Sequence, residues 1–164
     1  MNASQIELLT QHRATLGDGY LQFKLNQSTT AVLQVKFTQE VVVLPIEAIT
    51  SIPNTSVFII GLMNWRNKII WVVDLPKIFG LESDISRIRQ CNIITIRHQT
   101  ETIGLMVPLV KGTVRFDSNS IQSAQNQVET SLLPYLKGCI WCGDEPNLVL
   151  NIQAILKSLL FDAK

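Results

Sequence analysis

The stretch IPNTSVFIIGLMNWRNKIIWVVDLPKIFG, Ile52 to Gly80, decides how the rest of the chain is read. Two apolar arms, Gly61 to Trp65 and Ile69 to Val73, flank the polar run Arg66-Asn67-Lys68, where the chain must reverse. The arms are rich in β-branched and aromatic residues, which pack well on a pleated surface, so they read as a hairpin. Near-continuous apolarity predicts strands buried on both faces or held between two lobes. Asn67 falls where the turn needs positive φ, a conformation Asn tolerates better than most side chains. Asp74 then closes the second arm and is expected to cap a short helix, with Pro76 in its first turn and Gly80 as its stop.

The totals fit this start. The chain has 164 residues, 46% of them hydrophobic and 16% charged, with a formal net charge of +1. That length allows one compact domain or two interlocked lobes with roughly 70% of the unfolded surface buried. A balance so close to neutral excludes a disordered tail protein and provides no field for gripping a polyanion. Cys91, Cys139 and Cys142 make an odd, unpatterned set, which fits a reducing compartment better than a disulfide scaffold. With neither an export signal nor a plausible membrane span, the expected location is the cytoplasm.

Outward from the hairpin the chain alternates short strands with turns. Residues 1–19 read as a tail with a short helix from Ser4, which has capping-box spacing to Glu7. Residues 20–164 form the domain proper. Leu21, Phe23 and Leu25 alternate with polar residues, and Thr30 to Lys36 returns as a second strand. Phe37 to Leu44 is a third, halted by Pro45, with the acid Glu40 set beside Val41, Val42 and Val43 and in need of a partner. Ile46, Ile49 and Ile52 recur every third residue, as a helical turn would have them. The polar bridge 82–90 is expected to mark the boundary between two lobes. Cys91 to Arg97 and Thr102 to Val107 pair around a polar turn, and Gly112 to Phe116 resumes extended chain before the long loop 118–130. Leu136 to Cys142 and Asn147 to Leu150 form a further hairpin. Asn151 caps a last helix whose stripe Ile152, Ile155, Leu156, Leu159 and Leu160 packs on the strands. Many short strands and few helices predict an all-β protein built of small barrels. No residue-level repeat is visible.

The pattern IPNT-x-x-FI-x-G-x-x-NWR-x-x-IIWVVDL resembles the signature region of the CheW family of chemotaxis adaptors, over about residues 20–161. Gln39-Glu40-Val41, Tyr135-Leu136-x-Gly138 and Asn151-Ile152 extend the resemblance. It implies two small five-stranded SH3-like β-barrel lobes with a C-terminal helix, no catalysis and no cofactor. It also implies a scaffold in chemotaxis or pilus-type motility, coupling a chemoreceptor's cytoplasmic tip to the regulatory domain of a CheA-type histidine kinase and reaching the membrane only through receptor arrays. The family usually carries Gly where this chain has Asn67, so a side chain is added at a contact surface and receptor choice can differ.

Five residues are candidates for protein contacts: Arg66, Glu40, Asn64, Gly61 and Asn67. The resemblance implicates Arg66 in receptor coupling; equally, Arg66 can pair with Glu40 and lock two strands together. Asn64 and Gly61 match the motif, and turn chemistry alone would also place them there. Cys139-Ile140-Trp141-Cys142 is a C-x-x-C, but residues three apart in a strand face opposite sides, which opposes a redox pair or metal clasp. The histidines His12 and His98 lie in no catalytic constellation. The rivals to an adaptor are a small barrel-type nucleic-acid-binding protein, a redox or metal protein, and a detached regulatory domain of the kinase itself. Scattered basic residues oppose the first.

Overall fold

The computed structural model describes residues 17–83 and 85–162. The helix expected from Ser4 to Glu7, and His12, lie outside the described residues. The fold is all-β, as expected. Its strands are β1 (Asp18–Lys24), β2 (Thr30–Gln34), β3 (Thr38–Pro45), β4 (Ile59–Trp65), β5 (Lys68–Asp74), β6 (Gln90–His98), β7 (Glu101–Val107), β8 (Leu109–Phe116), β9 (Leu136–Cys142) and β10 (Glu145–Leu150). Two α-helices are described, α1 (Leu75–Ile78) and α2 (Ile152–Asp162).

The strands form two five-stranded sheets, ordered β8-β1-β2-β10-β9 and β3-β6-β7-β5-β4. The second lobe is therefore one continuous stretch, and the first is assembled from both ends of the chain. The bridge 82–90, expected between the lobes, instead joins β5 to β6 within the second one. The crossings fall at the short turn Val35–Phe37 and at Pro108, where β7 gives way to β8.

The register reveals a repeat that residue identities hide. Along each sheet the pairings run antiparallel, antiparallel, parallel, antiparallel, so β8, β9, β10, β1 and β2 stand where β3, β4, β5, β6 and β7 stand in the other lobe. The chain order of one lobe is a circular permutation of the other. Gly61 to Leu75 then aligns with Gly138 to Ile152 without a gap. Each lobe closes through one bridged pair, Thr50 with Leu62 and Gln122 with Cys139. In both, a glycine precedes the bridged strand residue because a Cβ there would meet backbone: 2.0 Å from the Thr50 oxygen at Gly61, and 2.2 Å from the Gln122 oxygen at Gly138.

The main core lies between the lobes. Leu21, Phe23 and Leu33 from the first sheet pack in one cluster with Ile94, Ile96 and Leu105 from the second. The stripe Ile152, Ile155, Leu156 and Leu159 of α2 seals it, and Asn151 caps that helix by accepting the Ala154 N–H at 3.1 Å. A second cluster, with Met63, Trp65, Ile70, Val72, Ile93 and Met106, fills the interior of the second lobe. Across the first lobe, Lys24 reaches the Glu145 carboxylate at 3.3 Å. The Thr30 hydroxyl, donating at 2.7 Å, and then Lys24 hold that carboxyl below its ordinary range.

Asp74 departs from expectation. It stands immediately before α1, but its side chain makes no capping bond. It is fully buried and accepts a hydrogen bond from the Ser83 hydroxyl at 2.5 Å.

Candidate functional site

The hairpin of β4 and β5 turns through two residues, Arg66 and Asn67, with Trp65 paired to Lys68. Asn67 has φ 63°, as the turn predicts, and Arg66 shares the left-handed region at φ 49°. Positive φ at both central residues marks the turn whose twist matches that of flanking strands. A β-branched or bulky residue is costly there, so the tip's conformation selects Asn67 and makes Arg66 an exception.

That exception has partners. The Arg66 guanidinium meets the Glu40 carboxylate at 2.5 Å and lies 5.1 Å from the centre of the Trp65 ring. Glu40 comes from β3, opposite Thr95 of β6, whose hydroxyl donates to the Glu40 carbonyl at 3.0 Å. The pair thus ties the hairpin tip to the edge strand on the far side of the sheet. Arg66 keeps 67% of its side chain exposed, so water screens the attraction and its worth to folding is at most about 1 kcal/mol.

Of the two expectations for the arms, burial on both faces or packing between the lobes, neither describes the half of the hairpin nearest the tip, where one face is exposed. One face, Met63, Trp65, Ile70 and Val72, is core. On the other, Asn64 is exposed opposite Ile69, which is 66% exposed, and Trp71 opposite Leu62 is 36% exposed. Four of the five candidates, Arg66, Glu40, Asn64 and Asn67, keep surface at the tip, on its outer face or on β3. The fifth, Gly61, is buried and serves closure of the lobe, so it has no surface to offer a partner. Sequence reasoning missed Ile69 and Trp71 as surface residues; they alternate in burial with Ile70 and Val72, but all four are apolar, so the sequence carries no period that marks them. A cleft of about 550 Å³ does run between the lobes, but Arg66 and Glu40 do not line it.

The C-x-x-C divides as strand geometry requires. Cys139 is buried and Cys142 is exposed, both with free thiols. Burial raises the Cys139 thiol pKa, and burial followed by the Glu47 charge raises that of Cys91. We expect Ellman's reagent at neutral pH to modify one thiol rapidly, and Cys142→Ser to abolish that phase; rapid reaction of two thiols would contradict the geometry. Among the described residues no cluster of three or more His, Cys, Asp or Glu could hold a metal ion, and no helix is long and apolar enough to cross a membrane.

Two interlocked five-stranded lobes, with a polar hairpin tip and exposed apolar side chains on the hairpin's outer face, are the architecture on which a surface-contact role can be built. The chain belongs to the CheW-like family of chemotaxis adaptors: the model of the CheW-like domain matches residues 19–160. It is 29% identical to the chemotaxis protein CheW of Thermotoga maritima over 109 residues, covering 65% of this chain and 71% of that protein. With the chemotaxis protein CheW of Klebsiella aerogenes it shares 24% identity over 144 residues, 88% of this chain and 84% of the other. The crystal structure of the scaffolding protein TtCheW from Thermoanaerobacter tengcongensis superimposes with a TM-score of 0.71 at 28% identity, covering 82% of this chain and 89% of that one.

Proposed function

We propose that the protein is a non-catalytic cytoplasmic scaffold that couples chemoreceptors to a CheA-type histidine kinase in a flagellar or pilus-type motility system. The observation that carries this reading is the β4–β5 hairpin: its tip holds the Arg66–Glu40 pair, and the outer face of its second strand leaves Ile69 and Trp71 exposed. Arginine and tryptophan dominate protein interfaces when they become desolvated together, because each combines large contact area with a directional polar group. The receptor tip meets this surface. The kinase's regulatory domain, built of similar barrels, meets the apolar surface of one lobe, and receptor state passes through the rigid body between them.

Arg66→Ala tests the reading. Receptor binding in a pull-down is expected to weaken about tenfold or more, with loss of receptor-dependent kinase control. The urea midpoint should move by no more than about 1 kcal/mol of stability, since the ion pair is exposed. Normal receptor coupling by the folded variant would remove the hairpin tip from the site.

A further inference from the structure

The cleft between the lobes holds a feature that the adaptor role leaves unused. Its apolar lining comes from both lobes, Leu25 and Leu109 from the first and Pro76, Met106 and Val107 from the second, with polar residues such as Asn26, Gln90 and Asn92 between them. Asp74 forms part of its lining. The side chain is fully buried, and while Oδ2 accepts the Ser83 hydroxyl, Oδ1 has no partner among the described residues. A buried carboxylate oxygen without a donor is costly, so it is retained where something else supplies the donor.

The internal repeat sharpens the point. Asn151 holds the equivalent position in the first lobe and does what such a residue ordinarily does, capping the helix that follows. Asp74 caps nothing. A neutral amide therefore suits the fold at this position, and the second lobe has a carboxylate instead. Of the charged groups lining the cleft, Glu82 adds a second negative charge, and Lys24 is already engaged by Glu145. The cleft thus has a buried carboxyl oxygen without a donor in its wall.

We propose that this cleft binds a small organic cation, an ammonium or amidinium group on an apolar body, with Asp74 as its counter-ion. The volume of about 550 Å³ suits a small molecule. The apolar body replaces water along the exposed Pro108 and Leu109, while the cation sits on the Asp74 side of the cleft, where the low-dielectric walls screen charge weakly.

The test is a titration of the full chain with phenethylammonium and with 2-phenylethanol, its neutral counterpart, followed by NMR at the Met106 methyl and the Leu25 and Val107 amides. The cation should give saturable shifts, and Asp74→Asn should weaken it about tenfold or more while leaving 2-phenylethanol unaffected. Leu109→Lys, at a half-exposed wall position that does not endanger folding, should also weaken the cation alone. No saturation at millimolar cation, equal binding of the neutral compound, or indifference to Leu109→Lys would each overturn the proposal.

Discussion

Gly61→Val is expected to cost about 3–5 kcal/mol, a large share of the 5–15 kcal/mol that holds a typical domain together. A Cβ at this position would stand 2.0 Å from the Thr50 oxygen and 2.7 Å from its carbonyl carbon, and neither is the end of a flexible side chain. The strand must therefore move away from Thr50. Doing so breaks the Thr50 N–H to Leu62 oxygen bond at 2.7 Å and the Leu62 N–H to Thr50 oxygen bond at 2.9 Å, which together close the second lobe. Each is worth about 1 kcal/mol net, and backbone distortion adds about 1–3 kcal/mol. Gly80→Ala is the control: it also has positive φ, at 70°, but an added Cβ meets nothing within 4 Å. It should cost only about 1 kcal/mol. Urea unfolding compares the two, and equal midpoints would show that closure at Thr50 does not matter.

Phe23→Ala should destabilise the protein by about 3–5 kcal/mol and lower both lobes together. Phe23 lies on β1 of the first sheet with no exposed surface, yet its cluster includes Ile94, Ile96 and Leu105 of the second sheet. A cavity there loosens the seam rather than one barrel. In a Trp141→Phe background, which removes the first lobe's tryptophan, Trp65 and Trp71 report the second lobe by fluorescence, and far-UV circular dichroism reports all strands. The two unfolding curves are expected to coincide and shift by the same amount, as for a single cooperative unit. A Trp65 transition that stays at the wild-type midpoint would show that the lobes melt separately.

Much of this was legible before any coordinates. The hairpin, the left-handed Asn67 and the closing helix with its Asn151 cap all follow from local chemistry, namely turn propensity and periodicity, and the Glu40–Arg66 pair is one of the two readings that an acid in need of a partner leaves open. What escaped depends on distant parts of the chain. Sequence alone puts the lobe boundary in the polar bridge 82–90, because neighbours in sequence are usually neighbours in space, and this fold breaks that habit by pairing β2 with β10. The repeat was hidden because equivalent positions, such as Trp71 and Leu148 or Asp74 and Asn151, share a place in the register and no identity. Gly61 was read as a candidate contact because a motif match does not distinguish a surface residue from one selected for lacking a Cβ. Asp74 was read as a cap because the competing hydroxyl, Ser83, lies nine residues further on.

The interleaved strand order sets a timetable for synthesis. The second lobe, from Thr38 to Val107, leaves the ribosome as an unbroken block whose strand partners are all in hand. The β1–β2 hairpin emerges earlier and then waits, because Thr30 has no parallel neighbour until Asn147 arrives more than a hundred positions later. At translation rates of about 5–20 residues per second, that sticky edge stands uncovered for about 5–20 seconds. For this chain, the hazardous interval opens while the polypeptide is still being made, and the arrival of β10 is what ends it.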